Sequence, residues 1–189
     1  MLSKEQRFAV YQEKLLSWND KINLIGPEAK ANLGEHIGEA LAAAEYLKPR
    51  GRVLDFGSGG GLPAIPMAIV APEAFFVLVE ADQRKWAFLK HVIRECELNC
   101  EAWGDRLHRL LGERFLKPEF SLVTSRAVGY PEEWFPGIRD ILLPEGRVAL
   151  FGDSVGRQTI GDFHKIAEIA LPRGVANILG IYAVPRETT

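Results

Sequence analysis

Apolar positions recur at helical spacing through the first part of the chain. One stripe, with intervals of three and four positions, predicts an amphipathic helix and consists of Phe8, Tyr11, Leu15 and Trp18. Ser3 and Gln6 fit a capping box at the start of this helix, and Gly26-Pro27 interrupts the pattern. A second helical pattern covers about residues 28–47. We therefore expect a helical appendage over residues 1–50.

From residue 51 onward, short apolar runs alternate with helical patterns. The apolar runs predict strands near residues 52–56, 75–79, 100–103, 120–124, 146–151 and 178–184. The patterns between them predict helices near residues 63–71, 84–98 and 131–142. Residues 153–172 are ambiguous, and the part from Ile160 to Leu171 fits either a helix or a helix that runs into a strand. Such alternation is typical of an α/β protein with an open parallel sheet, so we expect residues 51–189 to form one domain.

The composition is that of a globular protein and carries no membrane or metal signal. Of the 189 residues, 47% are hydrophobic and 25% are charged, and no apolar run approaches the roughly 20 residues that span a bilayer. The first residues lack the apolar core of an export signal, so we expect a cytoplasmic location. Cys96 and Cys100 have no nearby histidine pattern and are expected to be reduced thiols. With a net charge of −2, a polyanion partner must bind a local patch of cations.

The glycine-rich stretch after the first predicted strand is the strongest chemical signal. Gly57, Gly59 and Gly61 form a turn without bulky side chains, and Pro63 and Pro66 mark the start of the following helix. A strand, a glycine turn and a helix in this order bring backbone N–H groups close to a ligand at the carboxyl end of the strand. The alternative, a glycine turn without a ligand, stays open at this point.

The residues around the turn favour S-adenosylmethionine (SAM) over a nicotinamide dinucleotide. Leu62 follows Gly61 where the dinucleotide fingerprint requires its last glycine, and Asp55 precedes the turn as in SAM enzymes. Glu80 ends the second predicted strand, where it can accept the hydroxyls of a ribose. The segment from Asp105 to His108 follows the third strand and is placed to frame an adenine. We therefore expect a Rossmann-like class I SAM-dependent methyltransferase fold, with SAM as the cofactor.

Several segments together resemble the RsmG/GidB family of 16S ribosomal RNA (guanine-N7) methyltransferases, over most of the chain. The segments that carry the resemblance are residues 18–24, 36–37, 55–66, 85–89 and 125–128. The resemblance implies methylation of guanine N7 in 16S rRNA of the small ribosomal subunit, by a monomer without a membrane partner. N7 carries a free lone pair, so the enzyme needs to orient its substrate and requires no general base.

The resemblance also implies particular site residues. It places SAM contacts at Gly57, Leu62, Leu107, His108 and Arg126. With the turn and the strand ends, the predicted cofactor site comprises Gly57, Gly59, Gly61, Leu62, Glu80, Asp105, Leu107, His108 and Arg126. His36 and Arg126 are candidate substrate contacts, although His36 can instead be a packing residue and Arg126 a structural ion-pair residue. Trp18 and Asn23 are expected to fix the appendage. The candidate RNA-binding cations are Arg84, Lys85, Arg106, Arg109 and Arg126.

The chain departs from the family pattern mainly on the side expected to face RNA. Phe151 stands where the family has a lysine, and His108 replaces a usual glutamate. Glu39-Ala40 replaces Asp-Ser after the His36 position, Ile25 replaces a threonine, and the last strand has no basic residues. These departures indicate a divergent member and keep two alternatives open. One is a small-molecule SAM methyltransferase with an apolar pocket at Phe151, and the other is a non-catalytic SAM-binding interaction domain.

Overall fold

The computed structural model contains an eight-stranded sheet with helices on both faces. It describes residues 1–115, 117–126, 129, 131–152, 157–172 and 178–185. The helices are α1 (Lys4–Asn19), α2 (Pro27–Ala31), α3 (Leu33–Leu47), α4 (Ala64–Val70), α5 (Gln83–Glu95), α6 (Leu107–Glu113) and α7 (Pro131–Ile141). The strands are β1 (Arg52–Phe56), β2 (Phe75–Val79), β3 (Cys100–Trp103), β4 (Phe120–Arg126), β5 (Leu142–Phe151), β6 (Thr159–Ile160), β7 (Phe163–Ala170) and β8 (Ile178–Ala183).

The strand order explains where a ligand can bind. The order is β3-β2-β1-β4-β5-β8-β7-β6, with parallel pairing from β3 to β5 and antiparallel pairing from β5 to β6. The chain moves outward from β1 through β2 to β3 and then returns to β4 on the other side of β1. This reversal places the topological switch point at β1, whose carboxyl end carries the glycine turn. The predicted α/β architecture is therefore confirmed.

Alternate residues of the strands face two separate cores. Val53 and Phe76 face the core that contains helices α1, α3, α4 and α5, whereas Leu54 and Val77 face the core beneath α6 and α7. Because side chains alternate across a strand, a continuous apolar run is what a strand buried on both faces requires. The structure thus accounts for the apolar runs that predicted β1 and β2. No helix among the described residues is long and apolar enough to cross a membrane.

Two regions differ from the sequence-based expectation. The second helical pattern is divided into α2 and α3, because Asn32 lies between them in a non-helical conformation. The segment at residues 160–171, expected to be a helix at least in part, instead forms β7 and the end of β6. Burial alternates along β7, and its backbone pairs with β8, so a two-residue period and a distant partner outweigh the local helical pattern. Residues 153–156 of the ambiguous stretch lie outside the described residues.

Candidate functional site

The glycine turn adopts backbone conformations that only glycine takes up readily. Gly57, Gly59 and Gly61 have φ angles of +69°, +50° and +85°. The turn is anchored to β2 because Gly57 N–H donates to the Val79 carbonyl at 2.9 Å. At Gly61 a Cβ atom would lie 2.5 Å from Cγ1 of the buried Ile65, so no side chain fits there. The turn that the sequence predicts therefore has a steric requirement at Gly61 in addition to its φ angles.

The appendage supports the turn directly. The hydroxyl of Tyr11, on α1, donates a 2.9 Å hydrogen bond to the carbonyl of Gly60, and Tyr11 is fully buried. Burial raises the pKa of the Tyr11 hydroxyl, so it remains a donor. At Gly60 a Cβ atom would lie 2.9 Å from Ile25 and 3.0 Å from Leu15. Helix α1 and the loop that follows it thus contribute to the shape of the turn.

Glu80, at the end of β2, lies across the turn from β1. Its Oε2 accepts a hydrogen bond from Gly59 N–H at 2.8 Å, and its Oε1 accepts one from Asp82 N–H at 2.8 Å. These bonds fix the carboxylate at the mouth of the turn. Because each carboxylate oxygen has a second lone pair, the group can still accept hydrogen bonds from hydroxyls of a ligand. Glu80 therefore lies beside the glycine turn, as the sequence predicts.

A cavity of about 490 Å³ lies on one side of Glu80. We call it the α6–α7 cavity, and it is lined by Phe56, Gly57, Val79, Glu80, Ala81, Asp105, Arg106, Leu107, His108, Gly129, Glu133 and Trp134. It brings Asp105, Leu107 and His108 together with the turn, as the sequence predicts. Trp134 was missing from the sequence-based site; its ring meets Phe56 edge-on with centroids 4.3 Å apart. The cavity therefore has aromatic walls that suit a flat base.

A second cavity, of about 290 Å³, lies on the other side of Glu80. We call it the appendage cavity, and it is lined by Leu24, Ile25, Ala29, His36, Gly57, Ser58, Gly59, Gly60, Leu62, Glu80, Lys85 and Arg126. Gly57 and Glu80 line both cavities, so the two form neighbouring parts of one cleft. Gly61 lines neither cavity, and its contact with a cofactor stays a prediction.

Arg126, at the end of β4, forms a structural ion pair, and its contact with a ligand stays a prediction. It lines the appendage cavity and also forms an ion pair with Glu39 of α3. Its Nη2 atom lies 2.7 Å from Nδ1 of His36. Glu39 is 0% exposed and His36 is 3% exposed, so this cluster is buried between the appendage and the sheet. His36 is therefore a packed residue, and its contact with a substrate stays a prediction. Ala127 and Val128, which complete the predicted segment 125–128, lie outside the described residues.

Asp55 is a buried acid directly beneath the turn. Its Oδ1 accepts a 2.6 Å hydrogen bond from the Thr124 hydroxyl, and its side chain is removed from solvent. Burial raises the pKa of Asp55 to about 7, against the opposing effect of that hydrogen bond. Asp55 lines neither cavity.

The rim of the cleft carries exposed cations, and Phe151 is not part of it. Arg84 and Arg109 have side chains 72% and 64% exposed, whereas Lys85 lines the appendage cavity. Phe151 is 5% exposed and its ring lies 5.9 Å from the Arg126 guanidinium carbon. The small-molecule alternative depended on an apolar pocket at Phe151, but this residue lines neither of the two cavities.

The structure shows further residues that shape the cleft, and most of them were not predicted from the sequence. Asn19 Oδ1 accepts hydrogen bonds of 2.9 Å from the N–H groups of Leu24 and Ile25, which shapes the loop that lines the appendage cavity. Trp18 packs on Phe88 with ring centroids 5.7 Å apart, in keeping with its expected structural role. Glu39 carried a weak signal, since it lies one helical turn after His36. For Trp134 no sequence signal was available.

The side chains along the cleft fit the separate parts of SAM. Phe56 and Trp134 offer apolar rings to an adenine, and Glu80 offers acceptors to ribose hydroxyls. Arg126 supplies a cation at the opposite end, where its buried Nη1 atom has no hydrogen-bond partner among the described residues. A guanidinium N–H group that lacks an acceptor can donate a hydrogen bond to a carboxylate. The order of these groups along the cleft therefore matches the order of groups in the cofactor.

Comparison with known proteins identifies related sequences. The family model described as rRNA small subunit methyltransferase G (GidB) matches residues 4–158. The Ribosomal RNA small subunit methyltransferase G of Helicobacter hepaticus is 31% identical over 155 residues, which cover 81% of this chain and 82% of that protein. The protein of the same name from Geobacter sp. (strain M21) is 33% identical over 173 residues, which cover 90% of this chain and 78% of that protein.

Solved structures with the same arrangement have low sequence identity. TrmN from Thermus thermophilus aligns with a TM-score of 0.59 and 19% identity, over 77% of this chain and 48% of that one. The tRNA (m1A58) methyltransferase TrmI from Aquifex aeolicus aligns with a TM-score of 0.62 and 13% identity, over 80% of this chain and 69% of that one. At these identities the likeness concerns the fold alone, and it confirms the predicted Rossmann-like methyltransferase fold.

Proposed function

Because this chain belongs to the rRNA small subunit methyltransferase G (GidB) family, we propose that it methylates guanine N7 in 16S rRNA, with SAM as the methyl donor. The observation that carries the proposal is the position of Glu80 and the glycine turn between the two cavities. One side of this cleft is apolar and aromatic, and the other contains an arginine, as an adenosine linked to an amino acid requires.

The proposed cofactor contacts follow the cleft from one end to the other. Asp105, Leu107 and His108 frame the adenine in the α6–α7 cavity, with Trp134 on the facing wall. Glu80 accepts hydrogen bonds from the ribose hydroxyls at the boundary between the cavities. The methionine part lies in the appendage cavity against the remaining predicted residues, which are Gly57, Gly59, Gly61, Leu62 and Arg126.

The chemistry demands orientation more than proton transfer. SAM supplies a methyl group on a positively charged sulfur, and guanine N7 accepts it with a lone pair that lies in the ring plane. The chain therefore needs no general base, and its contribution is to hold the two partners in line, which is worth up to about 7–11 kcal/mol in ideal cases. Gly57 and Glu80 serve this purpose because both are fixed by hydrogen bonds to the turn and to β2.

The RNA side of the proposal depends on the exposed cations around the cleft. Arg106 lines the α6–α7 cavity and Lys85 lines the appendage cavity, and Arg84 and Arg109 lie near them in the first turns of α5 and α6. Side chains of this kind bind phosphates, which makes affinity depend on salt. We also propose that the protein acts as a monomer, since a single chain lines both cavities, and in the cytoplasm, where ribosomal RNA lies. Residues 1–50 serve as the appendage of the methyltransferase domain at residues 51–189.

The test is incubation of the protein with labelled SAM and small ribosomal subunits that lack the modification. We expect one label per subunit, at N7 of a single 16S guanine, located by cleavage at the methylated base. The Glu80→Ala variant is expected to lose most of the activity, whereas Arg94→Gln, on the exposed face of α5, retains it. Label on a small molecule only, or no label with folded wild-type protein, would contradict the proposal.

A further inference from the structure

We propose that Glu39 is a positioning residue, which together with His36 fixes Arg126 so that its guanidinium binds an anionic oxygen in the appendage cavity. The inference rests on the proposed function, because that oxygen is either the carboxylate of SAM or a phosphate of the RNA. It gives the helical appendage a specific part in ligand binding.

Acceptors on Glu39 and His36 face both protons of one terminal nitrogen of Arg126. Nη2 carries two protons; one faces the Glu39 carboxylate in an ion pair, and the other faces His36 Nδ1 at 2.7 Å. Nδ1 can accept this bond only in the tautomer that carries the ring proton on Nε2. Oε2 of Glu39 lies 3.3 Å from the same Nδ1, so the three side chains form one compact cluster.

The other terminal nitrogen of Arg126 has no such partner. Nη1 is buried and makes no hydrogen bond to any described residue, although Arg126 lines the appendage cavity. A buried donor without an acceptor is costly. Because Arg126 forms part of the cavity wall, a ligand oxygen that contacts its guanidinium would reduce this cost. A charge-assisted bond of this kind is also among the strongest hydrogen bonds that proteins make.

Charge alone does not account for the presence of Glu39. The carboxylate neutralises Arg126, which weakens any long-range attraction of the site for an anion. Its burial, with 0% exposure, leaves it no contact with a ligand in the cavity. What Glu39 does supply is a fixed orientation of the planar guanidinium, on which directional hydrogen bonding to a carboxylate or phosphate depends. The expected role is therefore orientation through a charge-assisted hydrogen bond, which the neutral amide of a glutamine would weaken.

The test is a double-mutant cycle on SAM affinity, measured by calorimetry with wild type, Glu39→Gln, Arg126→Gln and the double variant. If Arg126 binds the SAM carboxylate, each single variant is expected to bind SAM at least about tenfold more weakly. The double variant is expected to bind no more weakly than Arg126→Gln, because Glu39 acts through Arg126. Glu39→Asp, which keeps the negative charge and matches the residue implied by the family resemblance, should remain within about threefold of wild type.

Two further ligands identify the source of the anionic oxygen. With decarboxylated SAM, which lacks the carboxylate, the loss caused by Glu39→Gln should disappear. If the oxygen instead belongs to RNA, SAM affinity is unchanged in all variants. Subunit affinity then falls in Glu39→Gln and Arg126→Gln, and the slope of log affinity against log salt decreases by about 1 for Arg126→Gln. Either result supports the inference.

The inference is overturned if Glu39→Gln binds both ligands like wild type, or if it weakens binding equally in the Arg126→Gln background. Thermal unfolding establishes that each variant is folded at the measuring temperature. If Glu39→Gln does not fold, a cycle of His36→Leu with Arg126→Gln tests the second residue that fixes Arg126, without leaving a buried charge. If the wild type binds SAM but does not methylate subunits, the proposed function is contradicted, and the double-mutant cycle still tests the role of Glu39. If the wild type binds neither SAM nor subunits, both proposals are overturned.

Discussion

The two halves of the cleft are built from different parts of the chain. Among the described residues, those that line the α6–α7 cavity begin with Phe56, the last residue of β1, whereas the appendage cavity also takes Leu24, Ile25, Ala29 and His36 from the first 50 residues. They share Gly57 and Glu80. The Rossmann-like core therefore completes one half of the cleft by itself, while the other half depends on how the appendage packs.

The halves also differ in how their charges are held. Near the α6–α7 cavity, Asp105 and Arg109 are 3.9 Å apart with side chains 38% and 64% exposed, and such a pair contributes little to stability. Beside the appendage cavity, the ion pair of Arg126 with Glu39 is buried, with side chains 14% and 0% exposed. Removing one partner of a buried pair leaves an uncompensated charge. Substitutions should therefore disturb stability most at the turn and the appendage, and least at α6.

The largest effect is expected at Gly61, in the turn that both halves share. Gly61→Ala forces a side chain into a φ of +85° and places its Cβ 2.5 Å from Ile65. Backbone strain and overpacking together should lower the free energy of unfolding by about 4 kcal/mol. Urea unfolding followed by circular dichroism measures this change.

The matched control is Gly59→Ala, in the same turn. Its φ is +50° and the nearest atom to an added Cβ is 3.7 Å away, so only the left-handed conformation opposes it, at about 1 kcal/mol. Equal destabilisation by the two variants would show that the contact with Ile65 does not define the turn.

The next effect concerns Asp55, which lies beneath the boundary between the halves. Its pKa is about 7 in the folded protein, raised by burial from an ordinary value near 4, so the folded state binds a proton more tightly than the unfolded state. This contribution to stability is present at low pH and is lost as the pH rises toward 7. Wild type should lose roughly 2 kcal/mol between pH 5 and pH 7 relative to Asp55→Asn.

Urea unfolding of both proteins at the two pH values provides the measurement. The exposed Gln158 supplies the control, because Gln158→Asn changes no ionisable group and should differ from wild type by the same amount at both pH values. A difference between wild type and Asp55→Asn that does not change with pH would mean that Asp55 is ionised throughout this range.

The sequence predicted the domain half of the cleft better than the appendage half. Gly57, Glu80 and Asp105 each follow a strand whose apolar run is evident, and parallel strands bring such ends to one edge of the sheet. The resemblance to the RsmG/GidB family, now confirmed, added Arg126. Glu39 could not be assigned from the sequence, because its partner lies 87 residues away and only the packing of α3 against the sheet brings them together.

The wrong helix prediction for residues 160–171 and the missed Trp134 likewise depend on contacts between distant parts of the chain. The β7 segment shows little preference of its own, and its strand conformation depends on pairing with β8, which follows later in the chain. Trp134 approaches the cleft because α7 packs on the second core, where Phe135 is fully buried. Local patterns predict elements, whereas these contacts arise from tertiary packing.

A smaller effect is expected for Tyr11→Phe, which tests whether the appendage supports its half of the cleft. The substitution leaves the Gly60 carbonyl without its buried donor and should lower the free energy of unfolding by about 1 kcal/mol. Because Gly60 lines only the appendage cavity, SAM affinity should fall more than the affinity for adenosine, which fits the α6–α7 cavity alone. Calorimetry with both ligands measures the difference, and Tyr46→Phe, at a side chain 45% exposed, is the control. Equal losses for the two ligands would contradict the division of the cleft.

The smallest effect on stability is expected for Arg109→Gln, on the rim of the α6–α7 half. The side chain is 64% exposed and its ion pair with Asp105 is long, so the free energy of unfolding should change by less than about 0.5 kcal/mol. If Arg109 binds a phosphate of the RNA, the slope of log subunit affinity against log salt should decrease by about 1. Arg94→Gln, at a side chain 76% exposed on α5, should leave that slope unchanged. A loss of stability as large as that of Tyr11→Phe would contradict the expected difference between the two halves of the cleft, because the α6 side would then be held as firmly as the appendage side.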